Sequence, residues 1–200
     1  MPEPLPIPVL GSDPVERCDA QRNRRRILAA ARQLFGRDGV EHVSLDQIAA
    51  AAGVGKGTVF RRFGDRGGLL RAVLDDGETA FQEAFIRGPA PLGPGAPARE
   101  RLLAFGPAML AHVETHGELL RAAERSPAAR MRHPVYATYR MHLMILLAEA
   151  APGLDAAYAA DALLAPMAAD LCLYQLQVQG MSLEQLADGW RVLAGRLISA

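Results

Sequence analysis

Residues 44–63 read SLDQIAAAAGVGKGTVFRRF, and their order decides the fold. Ser44 and Gln47 form a capping box, in which a hydroxyl takes the third helical amide and the Gln side chain reaches back to the cap. Val43 and Ile48 are placed to close a hydrophobic staple across that start. An alanine series carries the helix to Ala52, and Gly53 breaks it. A short helix is predicted from about Lys56 to Phe63. Ala49, Gly53 and Val59 are what a helix-turn-helix requires: a small residue for close approach, a glycine free to take positive φ, and a β-branched residue to pack the pair. Ile48, Val54 and Phe63 add apolar contacts behind them.

On the N-terminal side, Ile27, Leu28, Ala31, Leu34 and Phe35 make one helical stripe. That helix is predicted to begin near Arg22 and to end at Gly39 in a left-handed cap. Residues 1–19 carry Pro2, Pro4, Pro6, Pro8 and Pro14 and read as an extended arm without a secretory signal. On the C-terminal side, Asp65 caps a long fourth helix carrying Leu69, Leu70, Val73, Leu74, Phe81 and Phe85. Gly67 and Gly68 in its first turn predict a softened junction.

Residues 88–97, GPAPLGPGAP, cannot be helical and mark a loop. The remainder is again helical. Elements are predicted over residues 99–116 with a kink at Gly106-Pro107, around 118–124, over 134–151, and over 155–179 with a bend at Pro166. A second capping box, Ser182 with Gln185, opens the last helix. The expectation is an all-α chain of about nine helices. Its divisions are an arm over 1–19, a three-helix helix-turn-helix domain over 20–66, and a larger helical domain over 67–200.

The formal net charge is zero, with 22 basic and 22 acidic residues. It is unevenly spread. Residues 20–66 hold ten basic and four acidic side chains, net +6, which is the footprint of a polyanion partner or a solvated charged face. Cys18 and Cys172 are far apart and fit neither a disulfide scaffold nor a zinc knuckle. No apolar run reaches the roughly 18 residues of a membrane span. P-loop, GxSxG and dinucleotide signatures are missing, so the chain reads as a non-enzyme without a cofactor. His112 and His116 have metal-binding i, i+4 spacing, but Val113 follows His112, so this is not HExxH, and no metal is expected.

The stretch SLDQIAAAAGVGKGTVFRRFGDRGGLL, residues 44–70, resembles the TetR family of regulators. The order of features also matches over residues 24–74: a basic pre-helix, the RxLFxxxG-like segment at 32–39, the capped second helix, the KGTxFRxF helix and an Asp-led fourth helix. The resemblance implies a cytoplasmic, homodimeric transcriptional regulator that binds a double-stranded DNA operator and not a membrane. It further implies a small-molecule effector, and a repressor more than an activator.

Residue roles follow from the resemblance and side-chain chemistry together. Lys56 reaches a guanine edge or a phosphate, Gly57 lets the backbone approach, and Thr58 meets a phosphate or a thymine methyl. One of Arg61 and Arg62 reads guanine while the other clamps phosphate. Phe60 stands at the family's usual Tyr position, and Gly55 where a side-chain cap is usual. Arg66 is expected on the DNA backbone, Ser44 at a helix N-terminus suited to phosphate, and Arg22, Arg24, Arg25 and Arg26 along the backbone or in the minor groove. The last long helices offer Leu163, Leu164, Met167, Leu171, Tyr174, Val178, Trp190, Leu193 and Leu197 for dimerisation. Met109, His112, Met131, Tyr136, Tyr139, His142 and Met144 mix soft apolar surface with polar handles and are the effector-pocket candidates.

Two other functions remain compatible with the sequence. One is a DNA-binding factor of the same fold without a small-molecule switch. The other is a helical ligand-binding protein with a vestigial helix-turn-helix. Steep salt dependence of DNA binding separates both DNA-binding readings from the last.

Overall fold

A computed structural model describes residues 14–123 and 127–199 of the chain. Ten α-helices occur among the described residues, and no strand. The chain divides into two compact units, 1–69 and 70–200. The division falls inside α4.

The first unit contains α1 (Pro14–Asp38), α2 (Leu45–Ala52), α3 (Lys56–Phe63) and the start of α4 (Arg66–Arg87). Helix α1 begins at Pro14, well before the expected Arg22; residues 1–13 of the expected arm lie outside the described residues. Ile27, Leu28, Ala31, Leu34 and Phe35 form its buried stripe. Gly39 ends it at φ 81°, its amide donating to the Phe35 carbonyl.

Helix α2 has both halves of the capping box, with Gln47 N donating to Ser44 Oγ at 3.3 Å and Ser44 N donating to Gln47 Oε1 at 2.8 Å. Val43 and Ile48 are both buried. Gly53 takes the left-handed conformation, φ 61° and ψ 40°, which an L side chain adopts only at a cost. The turn is also crowded, because a Cβ at Gly53 would lie 2.5 Å from Arg26 Nη2. Ala49 and Val59 are buried in the α2–α3 pair.

The junction into α4 is tighter than its two glycines suggest. Gly68 N donates to Asp65 Oδ1 at 2.7 Å, and a Cβ at Gly68 would meet the Phe63 carbonyl oxygen at 1.9 Å. Gly68 is there because the backbone of the preceding turn leaves no space for a side chain.

The second unit contains the rest of α4, then α5 (Ala98–Ala123), α6 (Pro127–Arg132), α7 (Pro134–Ala150), α8 (Ala156–Leu164), α9 (Ala169–Leu173) and α10 (Leu183–Leu197). Helix α5 is the hub, packing on α7, α9 and α10. It continues through Pro107 to Ala123, absorbing the separate segment expected near 118–124. The predicted helix over 155–179 is instead broken. A 3₁₀ turn at Ala165–Met167 follows α8, and a π-type turn at Tyr174–Val178 follows α9. The two halves are bent by 42°. Proline removes the amide that a continuous helix would need there.

The core of this unit is aromatic. Phe81, Phe85, Phe105 and Tyr139 pack with centroids 5.4–6.1 Å apart in tilted and edge-on pairs. Trp190 of α10 lies 6.1 Å from Phe105 and donates its indole N–H to the Leu102 carbonyl at 3.0 Å. It also lies flat against Gly106, where a Cβ would fall 2.0–2.3 Å from three indole atoms. No single described helix is long and apolar enough to cross a membrane.

Candidate functional site

Helix α3 carries the basic side chains expected to read DNA. Val59 is fully buried and anchors the helix. At about 100° per residue, Arg61 lies on the opposite face, and Gly57, one turn earlier, lies on the same line. Lys56 and Phe60 flank this line on one side, Thr58 and Arg62 on the other. Lys56, Gly57, Phe60, Arg61 and Arg62 are exposed, and Thr58 is half-buried. The structure therefore brings six candidates together on one short helix.

Lys56 is engaged within the chain. Its Nζ donates to Asp46 of α2 at 2.9 Å and sits 5.9 Å from the Phe60 ring centroid. The pair is exposed, so its strength is small and water or phosphate competes for the ammonium. Gly55 precedes α3 without a side-chain cap, which leaves the first amides of the helix available to solvent or an anion.

The flanking candidates divide. Ser44 is exposed beside the α2 N-terminus, its hydroxyl held by Gln47. Arg25 is exposed, Arg24 is half-buried, and Arg22 pairs with Asp19 at 3.2 Å. Arg26 Nη2 reaches the Gly53 carbonyl at 3.5 Å and braces the turn. Arg66, expected on the DNA backbone, is half-buried and donates to the Val40 carbonyl. That bond ties the start of α4 to the segment after α1. Sequence could not show it, because the acceptor is a main-chain oxygen 26 residues away.

In the second unit, a cavity of about 90 Å³ opens between α4, α5, α6, α7 and the 3₁₀ turn. Of the pocket candidates, Met109, Tyr136 and Tyr139 line it. The wall also includes Asp75 and Glu78 of α4, Arg130 of α6, His133, and Met167. Glu78 is buried, with Oε1 3.1 Å from His112 Nε2 and Oε2 accepting the Tyr139 hydroxyl. His112 thus stands behind the wall, stacked on Phe81 at 5.2 Å. His116 Nδ1 lies 3.1 Å from the His112 carbonyl. Tyr136 donates its hydroxyl to Asp161 at 2.9 Å, and Arg140 holds the same carboxylate below the usual range. Neither Glu78 nor Asp75 carried a motif, which is why sequence reading missed them.

Three pocket candidates lie elsewhere. Met131 is 60% exposed and absent from the wall. Met144 is half-buried against the core and also absent from the wall. His142 packs on Phe85 at 4.4 Å and Phe105 at 5.6 Å, inside the aromatic core. Burial pushes its pKa from 6.5 down to about 4, and Arg101 acts in the same direction. A neutral His142 in the fold, against an ordinary one in the unfolded chain, makes stability fall as pH drops from about 6.5 towards 4. Urea midpoints at pH 7 and pH 5 should therefore differ, and His142→Phe should flatten that difference. An unchanged slope in the variant would assign the pH dependence to other groups.

The dimer candidates separate by face. Leu163, Leu164, Met167 and Trp190 are buried within this unit. Leu197 is half-buried. Leu171, Tyr174, Val178 and Leu193 are exposed at 40%, 49%, 69% and 55%. The structure thus assigns Leu164, Met167 and Trp190 to intramolecular packing, because the helix face carrying them turns inward.

Residues 27–73 match the family described as bacterial regulatory proteins, tetR family. An HTH-type transcriptional regulator of Staphylococcus aureus is 43% identical over 58 residues, 29% of this chain and 31% of that protein. The chain therefore aligns with under a third of the length of the curated relatives it matches. Two solved structures share the fold over most of their length. One is a putative transcriptional regulator from Saccharomonospora viridis in complex with choline, with TM-score 0.69, 20% identity, and 86% and 95% of the two chains covered. The other is the repressor of a Stenotrophomonas maltophilia multidrug efflux pump, with TM-score 0.63, 20% identity, and 88% and 90% covered. The described residues thus define a class: a helix-turn-helix unit followed in the chain by a larger all-helical unit. The match to the tetR family lies in residues 27–73, the helix-turn-helix and the helices that flank it.

Proposed function

We propose that this chain is a sequence-specific DNA-binding transcriptional regulator that acts as a homodimer on a double-stranded operator in the cytoplasm. The outward Gly57–Arg61 line of α3, flanked by Lys56 and Arg62 and set off by the left-handed Gly53, carries the reading. A helix so disposed enters a major groove with its base-reading side chains foremost. Arg61, opposite the Val59 anchor, is the base reader, and its fork matches guanine O6 and N7. Arg62, on the flank, is the phosphate clamp. Exposed Leu171, Tyr174 and Leu193 supply the surface for pairing two copies. Pairing would set two α3 helices about 34–36 Å apart, one helical turn of DNA.

The second unit's cavity supports a small-molecule effector, and the regulator acts as a repressor released by it. The choline complex and the efflux-pump repressor among the structural relatives are consistent with this reading. Release requires the effector to bind one conformational state more tightly than the other. Fluorescence anisotropy on duplexes selected from a random pool tests the core of the proposal. The expected result is preference for selected over scrambled duplex, with affinity falling steeply as salt rises. Equal affinity for both duplexes would overturn it.

A further inference from the structure

We propose that the cavity of the second unit selects small amphipathic organic cations, with an ammonium group held by Glu78 and an apolar body against Met109, Val113, Tyr136 and Met167. The proposal rests on the reading of this cavity as the effector site and adds the chemical class of the occupant. Its starting point is the bonding of the polar wall. Both tyrosine hydroxyls there are already spent, Tyr136 on Asp161 and Tyr139 on Glu78. Tyr136 therefore lines the cavity with its hydroxyl hydrogen already given to Asp161. Arg130 is held at the wall by its bond to the Leu164 carbonyl at 2.8 Å and by the Tyr136 ring, whose centroid lies 5.3 Å from the guanidinium.

The carboxylates differ from these groups. Glu78 is 93% buried, since only 7% of its surface is exposed, yet it still forms part of the cavity wall. Its contacts are His112 Nε2 and the Tyr139 hydroxyl. A carboxylate has about four acceptor sites, so two contacts leave acceptor capacity on a residue that lines the cavity. A buried carboxylate gains most from a donor that also carries positive charge. An ammonium has three donors and fits that remainder. Asp75, one turn earlier on α4, stands exposed in the same wall and places a second negative charge near the entrance. Aromatic and thioether surface around the acid suits a cation with an apolar body. The volume of about 90 Å³ sets the scale at a small organic molecule, larger than a single water.

Titration calorimetry of the full chain with three matched probes tests the proposal. Phenethylamine is protonated at neutral pH, 2-phenylethanol carries the same body with a neutral hydroxyl, and phenylacetate is the anion. Phenethylamine should bind roughly tenfold to a hundredfold more tightly than the alcohol, and phenylacetate should not bind. Glu78→Gln should erase the preference for the amine while keeping the alcohol's affinity. Asp75→Asn, at an exposed position that leaves the core alone, should reduce the preference by about threefold. Equal binding of amine and alcohol, tighter binding of phenylacetate, or no binding of any probe would overturn the proposal. A parallel duplex-release assay keeps the two readings apart. Amine binding without release leaves the cation site standing and removes the switch. Release by a different compound, with no amine binding, does the reverse.

Discussion

Arg61→Ala should sharply lower discrimination between the cognate operator and a scrambled duplex while leaving the fold intact. Arg61 is exposed, and it faces away from the Val59 anchor, so its loss opens no cavity. A bidentate arginine–guanine contact contributes about 1–3 kcal/mol of discrimination. A dimer uses it twice, so the loss on cognate DNA should reach about 2–6 kcal/mol if the half-sites add. Arg62→Ala is the internal control. It should weaken cognate and scrambled duplexes alike and reduce the slope of log affinity against log salt by about one per subunit. Anisotropy titrations at several salt concentrations read both effects. Equal losses on both duplexes for Arg61→Ala would reject the assignment of the base reader.

The second large effect concerns folding. Gly106→Ala places a methyl group where the Trp190 indole already sits, 2.0 Å from its nearest atom. Either α5 and α10 separate or the indole swings out and breaks its bond to the Leu102 carbonyl. Overpacking costs about 1–3 kcal/mol, and a lost buried hydrogen bond adds about 1–3 kcal/mol. The combined expectation is about 3 kcal/mol or more, a large share of a typical domain's stability. Gly189→Ala on α10 should have the opposite sign. A Cβ there meets nothing within 4 Å, and alanine is the better helix former by about 0.5–1 kcal/mol. Urea denaturation of both variants checks the pair. A neutral Gly106→Ala would show that the α5–α10 contact is looser than described.

Local chemistry explains why much of the fold was legible in the sequence. The capping boxes at Ser44 and Ser182 lie within four residues, and both form as read. Lys56–Phe63 is bounded by glycines that leave it no other length. Positions decided by tertiary packing were not legible. Heptad-like spacing puts Trp190 and Leu193 on neighbouring positions of one helix, but only the neighbour α5 determines that Trp190 turns inward and Leu193 outward. His142 and Tyr139 are three residues apart on α7 and both pack in the aromatic core, yet only Tyr139 also reaches Glu78 at the cavity. Glu78 itself looked like an ordinary helix-surface acid. Its role arises from His112 and Tyr139, residues 34 and 61 positions away.

The exposed Leu171, Tyr174 and Leu193 bear on how thermal stability is measured. If these rungs close against a second copy only in the native state, association draws the unfolding equilibrium by mass action. The midpoint of a heating curve would then climb as the sample is made more concentrated. Two laboratories scanning the same protein at different micromolar amounts would record different values, both correct. Leu193→Asp would remove that dependence and return a single midpoint belonging to the isolated chain.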